Sequence, residues 1–278
     1  MNSAERDIVF SGLIEGLCGI RDAGQRSFAV LSRLRDLEDE EIITVLKLVR
    51  EKALRGHKNH LLIYNCLVVS TGFTEVLGPQ RLSALVDALQ TRCEYELVAI
   101  LMDVPPEGHN EIPFQPFLDV TLRETPLGMR KALARKPDFM LIKRIARDQD
   151  HRVIQSLLDN PRLTEMDVIK IASTRPTSHR VLETIYNHSK WISRYSIKKV
   201  IVLNPYSPLS LAVKLLTFMN LQDLEIVAGA PDLNQLLMEE ARRILDTKSS
   251  GEDEYILDLE EIVDSDRVEP EYKNDCPC

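Results

Sequence analysis

The sequence predicts an all-α fold of stacked antiparallel helix pairs, and three observations carry that expectation. The first is internal repetition. The run Asn160-Pro161-Arg162-Leu163-Thr164 through Ala172 aligns without a gap onto Asn204-Pro205-Tyr206-Ser207-Pro208 through Leu216, forty-four residues later. Each copy opens with an Asn-Pro turn and a small-residue cap, then enters a helical pattern. Ile169/Val213, Lys170/Lys214, Ile171/Leu215 and Ala172/Leu216 fall in register. The second is composition: 44% hydrophobic residues with only 5% aromatic ones and 11 Gly suit helices packed through Leu, Ile, Val and Ala better than a β-sandwich. The third is proline placement. Proline disfavours helix in the residue before it, so Pro137, Pro161, Pro176, Pro205 and Pro231 each mark a helix corner, at alternating short and long intervals that fit helix pairs.

Taken in order, Ile8, Leu13, Ile14 and Leu17 suggest a first amphipathic helix, and Phe28, Leu31 and Leu34 the apolar face of a second. The acidic run Asp36–Glu41 loads the positive end of a third helix, with Ile42, Ile43, Leu46, Leu48 and Val49 behind it and a stop near Gly56. Asn59–Ser70 is apolar nearly all round, which predicts a buried central helix. Pro79 starts another helix in its first turn, and a shorter one runs from Tyr95 to Met102. Four prolines in residues 105–116 make the best boundary, between an N-terminal helical region (1–104) and the repeats (117–247). There Thr125-Pro126 reads as a helix start, and Asp138 and Asp150 as caps. Thr164 with Asp167 resembles a capping box. Val153/Ile154/Leu157/Leu158 and Val181/Leu182/Ile185/Tyr186 share one spacing. Leu233–Leu245 is the last helix, with Glu239, Glu240, Arg242 and Arg243 on its wet side. Residues 248–278 form an acidic tail with too little apolar content to fold alone, although Tyr255, Ile256, Leu257 and Leu259 suit docking.

With the corners placed, residues 125–246 resemble bacterial α-solenoids of the HEAT-like and leucine-rich-repeat-variant type. The segments Leu157–Thr164 and Val202–Pro208 carry the resemblance. It implies an armadillo-type superhelix that binds proteins, and nothing about catalysis. Some leucine-rich-repeat-variant proteins hold an iron–sulfur cluster on cysteines. Cys18, Cys66 and Cys93 lack the close spacing such a cluster needs, so no cofactor is expected.

Charge is distributed unevenly. Lys/Arg against Asp/Glu number 12 to 18 in residues 1–120, 17 to 8 in 121–200 and 6 to 17 in 201–278. The basic middle supplies the candidate binding belt: Arg130, Lys131, Arg135, Lys136, Lys143, Arg144, Arg147 and Arg152, then Trp191, Arg194, Lys198 and Lys199. A solenoid aligns equivalent positions of successive repeats, so these charges predict a stripe. Three occupants suit it: an acidic protein partner, a nucleic-acid phosphate backbone read without sequence preference, or the chain's own acidic tail.

No Gly-rich phosphate loop and no Gly-x-Ser-x-Gly elbow is present. His57 and His60 share a helix face without a carboxylate or thiol at ligand spacing, so surface histidines are expected there and no metal site. The first three cysteines read as buried free thiols; Cys276 and Cys278 end the tail. An odd cysteine count and a polar N-terminus point to the cytoplasm, and no apolar run reaches a membrane span. The expected function is therefore a non-catalytic protein-interaction scaffold, with nucleic-acid binding by the same belt as the alternative.

Overall fold

Side-chain caps and prolines divide the chain into helices, and in the computed structural model no strand occurs among the described residues. The structure describes residues 12–249 apart from 13, 15, 70, 71, 103–121 and 123. The expected linker 105–116, the chain beyond Ser249 with Cys276 and Cys278, and Ile8 and Leu13 lie outside the described residues.

In the first half, Asp22 accepts the Gln25 N–H at 2.7 Å and opens α1 (Ala23–Arg35). The acidic run opens α2 (Asp39–Leu54), where Glu41 accepts the Glu38 N–H at 3.0 Å. Gly56, with φ at +81°, takes the left-handed conformation that closes this helix. The apolar segment forms α3 (Lys58–Val69), and Pro79 occupies the first turn of α5 (Pro79–Thr91). Between them lies α4 (Phe73–Leu77), too short for periodicity to show; α6 (Tyr95–Leu101) follows. α1 and α2 both pack on α3, and α5 packs on α6.

In the second half run α7 (Leu127–Ala134), α8 (Phe139–Ile145), α9 (His151–Leu158), α10 (Glu165–Ser173), α11 (His179–Tyr186), α12 (Ser189–Ile192), α13 (Tyr195–Val202), α14 (Leu209–Leu216), α15 (Leu221–Gly229) and α16 (Gln235–Ser249). Each of the five expected prolines falls in a connection between helices. Asp138 caps α8 by accepting the N–H of Met140 (2.9 Å) and of Leu141 (3.2 Å), and Asp150 caps α9 through Arg152 N (3.0 Å). Thr164 and Asp167 exchange both capping-box bonds. At α7 the residue before the helix is Pro126, so Thr125 is not its cap.

The two Asn-Pro corners do the same work. α9 and α13 begin forty-four residues apart, as do α10 and α14. The Asn160 amide donates to Ala134 O (2.7 Å) and Lys136 O (2.9 Å) at the end of α7, while its oxygen accepts Arg162 N (3.0 Å). The Asn204 amide donates to Ala172 O (2.7 Å) and Thr174 O (3.3 Å) at the end of α10, and its oxygen accepts Tyr206 N (3.0 Å). Each asparagine therefore closes its own turn and satisfies carbonyls that an earlier helix leaves orphaned. Behind them, Val153, Ile154, Leu157 and Leu158 of α9 and Val181, Leu182, Ile185 and Tyr186 of α11 are buried, as the shared spacing requires.

The two halves meet. α6 packs on α14 and α16 touches α2. Tyr64 donates to Lys214 O at 3.3 Å, and Tyr186 donates to Val68 O. Arg50 pairs with Glu240, whose neighbours are Arg243 (3.5 Å) and, through Arg243 (2.7 Å), Glu96.

Several expectations are corrected. Phe28 is exposed, because the buried stripe of α1 runs through Val30, Leu31 and Leu34. Glu240 is half-buried at the α2–α16 contact, paired with Arg50, and not on the wet side. His60 is buried edge-on to His57 at 5.8 Å; burial lowers its pKa to about 4 and keeps the ring neutral. Cys93 is exposed, with φ +58° after α5, while Cys66 is buried. α16 runs on through Lys248 and Ser249, because the Lys248 ammonium binds Met219 O (2.7 Å) and Thr217 O (3.3 Å) beyond the end of α14.

Candidate interaction surface

Each residue of the expected belt has a definite place, and the belt is shorter than its one-dimensional pattern. Trp191 is buried in the core, its indole N–H donating to Leu158 O at 2.9 Å. Lys198 is buried with its ammonium 4.2 Å from the centre of the Phe218 ring, and burial lowers its pKa to about 8. Neither can meet a partner. Arg130 binds both carboxylate oxygens of Asp148 (2.6 and 2.7 Å), and Asp148 is almost fully buried, so that guanidinium holds the α8–α9 connection. Arg152 turns back on its own cap Asp150 at 2.8 Å, a bond that depresses the Asp150 pKa. Lys199 binds Asp223 at 2.7 Å, and Arg194 lies 3.9 Å from Glu165. Arg152 is thus held by its own cap, and Arg130, Lys199 and Arg194 lie near acids that the fold brings from other segments.

The other exposed cations of the expected belt gather at one corner. Arg135, Lys136, Lys143, Arg144 and Arg147 are exposed, with Lys131 half-buried beside them. Pro137 and the Asp138 cap turn the chain there, so α7 delivers Arg135 and Lys136 at its end and α8 delivers Lys143 and Arg144 in its last turn. The sequence pattern overlooked a second component: Met129 (58% exposed), Phe139 (52%) and Met140 (67%) stand among these cations. The Lys143 ammonium lies 4.0 Å from the Phe139 ring centre. The available signal was the run Phe-Met-Leu-Ile in α8, which holds more apolar residues than the buried pair Ile142 and Ile145 can use.

This corner belongs to a row of connections joined by direct bonds. Asn160 reaches Lys136 O (2.9 Å), and His188 meets Asp159 at 3.2 Å. Tyr195 accepts Asn220 N (3.2 Å) and donates to Asp223, and Lys248 reaches Met219 O (2.7 Å). Arg162 is exposed along this row, as is Lys190, whose ammonium lies 4.2 Å from the Trp191 ring centre.

Among the described residues, no three His, Cys, Asp or Glu side chains are grouped to hold a metal ion, and no helix is long and apolar enough to cross a membrane. Compared with family models, curated proteins and solved structures, the chain matches none of them.

Proposed function

We propose that the chain is a HEAT-like α-solenoid acting as a non-catalytic scaffold, and that its α7–α8 corner binds an acidic protein segment carrying apolar side chains. The two Asn-Pro corners support the solenoid reading, since asparagines forty-four residues apart each tie two carbonyls at the end of an earlier helix, the kind of recurring contact that stacked units make. The observation that carries the binding reading is the mixture at the corner. Exposed Phe139 and Met140 give an apolar anchor, and Arg135, Lys136 and Lys143 surround it with cations. A phosphate backbone would use the cations and leave the phenyl and thioether groups unsatisfied.

The test uses a labelled amphipathic peptide of glutamates, with leucine at i, i+3 and i+4 spacing, against a generic DNA duplex at low and moderate salt. The peptide is expected to keep binding at moderate salt, because part of its contact is apolar, whereas phosphate contacts weaken steeply. Phe139→Ser with Met140→Ser is expected to weaken the peptide about tenfold, near 1.4 kcal/mol, and leave duplex binding unchanged. Reversal of Arg135, Lys136, Lys143 and Arg144 to Glu is expected to abolish both. Duplex binding that outlasts the peptide in salt and ignores the Phe139 and Met140 changes would replace this reading with a nucleic-acid one.

A further inference from the structure

The row of connections that carries the basic corner begins beside the point where the acidic end of the chain emerges. Lys248, one residue before the end of α16, is bonded to Met219 O, and Asn220 is bonded to Tyr195. From there the row passes Lys190, Asp159 and Arg162 to Lys136. Four helix-packing steps of this kind span about 40 Å. Residues 250–278 hold 11 Asp/Glu against 2 Lys/Arg. Their densest part, Glu252–Asp264, also carries Tyr255, Ile256, Leu259, Ile262 and Val263, a combination of acid and apolar groups that matches the cations and apolar side chains of the corner. Extended, those residues reach about 43 Å, and the chain from Ser249 to Cys278 about 96 Å, so the acidic segment can lie along the row and arrive at Arg135 and Lys136 without leaving its own molecule.

We infer that residues 252–264 of this chain dock on this cationic row, from Lys190 past Arg162 to the Phe139 corner, and so compete with any external acidic partner. The inference rests on the same surface as the proposed function and adds its regulation. The row is not uniformly basic: Asp159 lies in it against His188, and Asp138 lies at the corner with one oxygen on the α8 cap. Charge alone would therefore hold the segment loosely, and the apolar residues decide its register. Tethering places the segment at an effective concentration in the millimolar range, enough to weaken a micromolar competitor by orders of magnitude if the dock were perfect and by about tenfold if it is partial.

The test uses the full chain. Ser189→p-benzoylphenylalanine puts a photo-crosslinker on an exposed position beside Lys190, and Gln80→p-benzoylphenylalanine serves as a remote exposed control. Irradiation at low salt is expected to give adducts between position 189 and residues 252–264 within single chains, several-fold more than at high salt and none from position 80. Adducts are expected to disappear when Tyr255, Ile256 and Leu259 are changed to Ser, and to fall when Arg162 and Lys190 are changed to Glu. A chain with Glu252, Asp253, Glu254, Asp258, Glu260 and Glu261 as amides should bind the amphipathic peptide about tenfold tighter than the unmodified chain. Absence of tail adducts, or adducts only between different chains, overturns the inference; if the peptide still binds, the proposed function survives it. Tail adducts with no peptide binding to either chain would uphold the inference and sink that function.

Discussion

Replacing Asn204 with Ala tests the bond pattern that ties an Asn-Pro corner to the end of a distant helix. The side chain is 2% exposed and makes three hydrogen bonds, giving two to the carbonyls of Ala172 and Thr174 and taking one from Tyr206 N. Alanine removes all three and leaves buried carbonyls at the end of α10 without those donors. At about 1 kcal/mol net per bond, more where a buried group is left unsatisfied, the expected loss is about 2–4 kcal/mol. Asn204→Asp is the sharper variant. It keeps size and can still accept from Tyr206 N, but it turns a donor facing two carbonyls into a buried anion, so it should cost at least as much as Ala. Asn160→Ala should cost a similar amount, since its bonds have the same pattern at 2.7, 2.9 and 3.0 Å. The two sites share no bonding partner, so the double variant should lose roughly the sum. Urea unfolding followed by far-ultraviolet circular dichroism measures each. A loss under about 1 kcal/mol for Asn204→Ala, or an Asp variant as stable as the parent, would refute the claim that amide donors join the corners.

Two further outcomes follow from buried charge. Burial lowers the pKa of Lys198 and of Lys248 from 10.5 to about 8, so unfolding takes up protons between those values, and stability should rise from pH 8 towards pH 10. Lys198→Met should remove its share of that rise and stabilise the chain at pH 7. The shift corresponds to about 3 kcal/mol, less the 0.5–2 lost with the contact to Phe218, so a net gain of roughly 1–3 kcal/mol is expected. Thermal melts at pH 7 and 9.5 check it, and a melt of Lys198→Met with unchanged pH slope would contradict it. Burial also raises the Glu240 pKa against the pull of Arg50 and Arg243. Arg50→Met leaves that half-buried carboxylate with Arg243 alone and should cost about 1–3 kcal/mol, whereas Arg50→Met with Glu240→Met should restore most of it. A double variant no better than the single one would show that the pair itself, and not the stranded charge, holds α2 to α16.

Helix boundaries were legible because they are set by neighbours in the chain. Proline excludes helix from the residue before it, and an Asp, Thr or Asn at a cap bonds to a backbone N–H two or three residues on. Asp138, Asp150, Thr164 and all five corner prolines accordingly stand where local chemistry puts them. The buried faces of α9 and α11 were legible for the same reason, since their spacing is a property of one helix. The basic belt was legible only as a count of charges. Whether Arg130 faces water or Asp148, and whether Lys198 lies on a surface or on Phe218, depends on acids and rings eighteen to twenty residues away. The same holds for Glu240, which reads as a wet residue of α16 until Arg50, from the other half of the chain, arrives beside it. Local sequence could thus assign where helices start, stop and carry their apolar stripes; the packing of distant segments alone assigned which cations stay exposed, because a charge is neutralised through space by whatever the fold brings within a few ångströms.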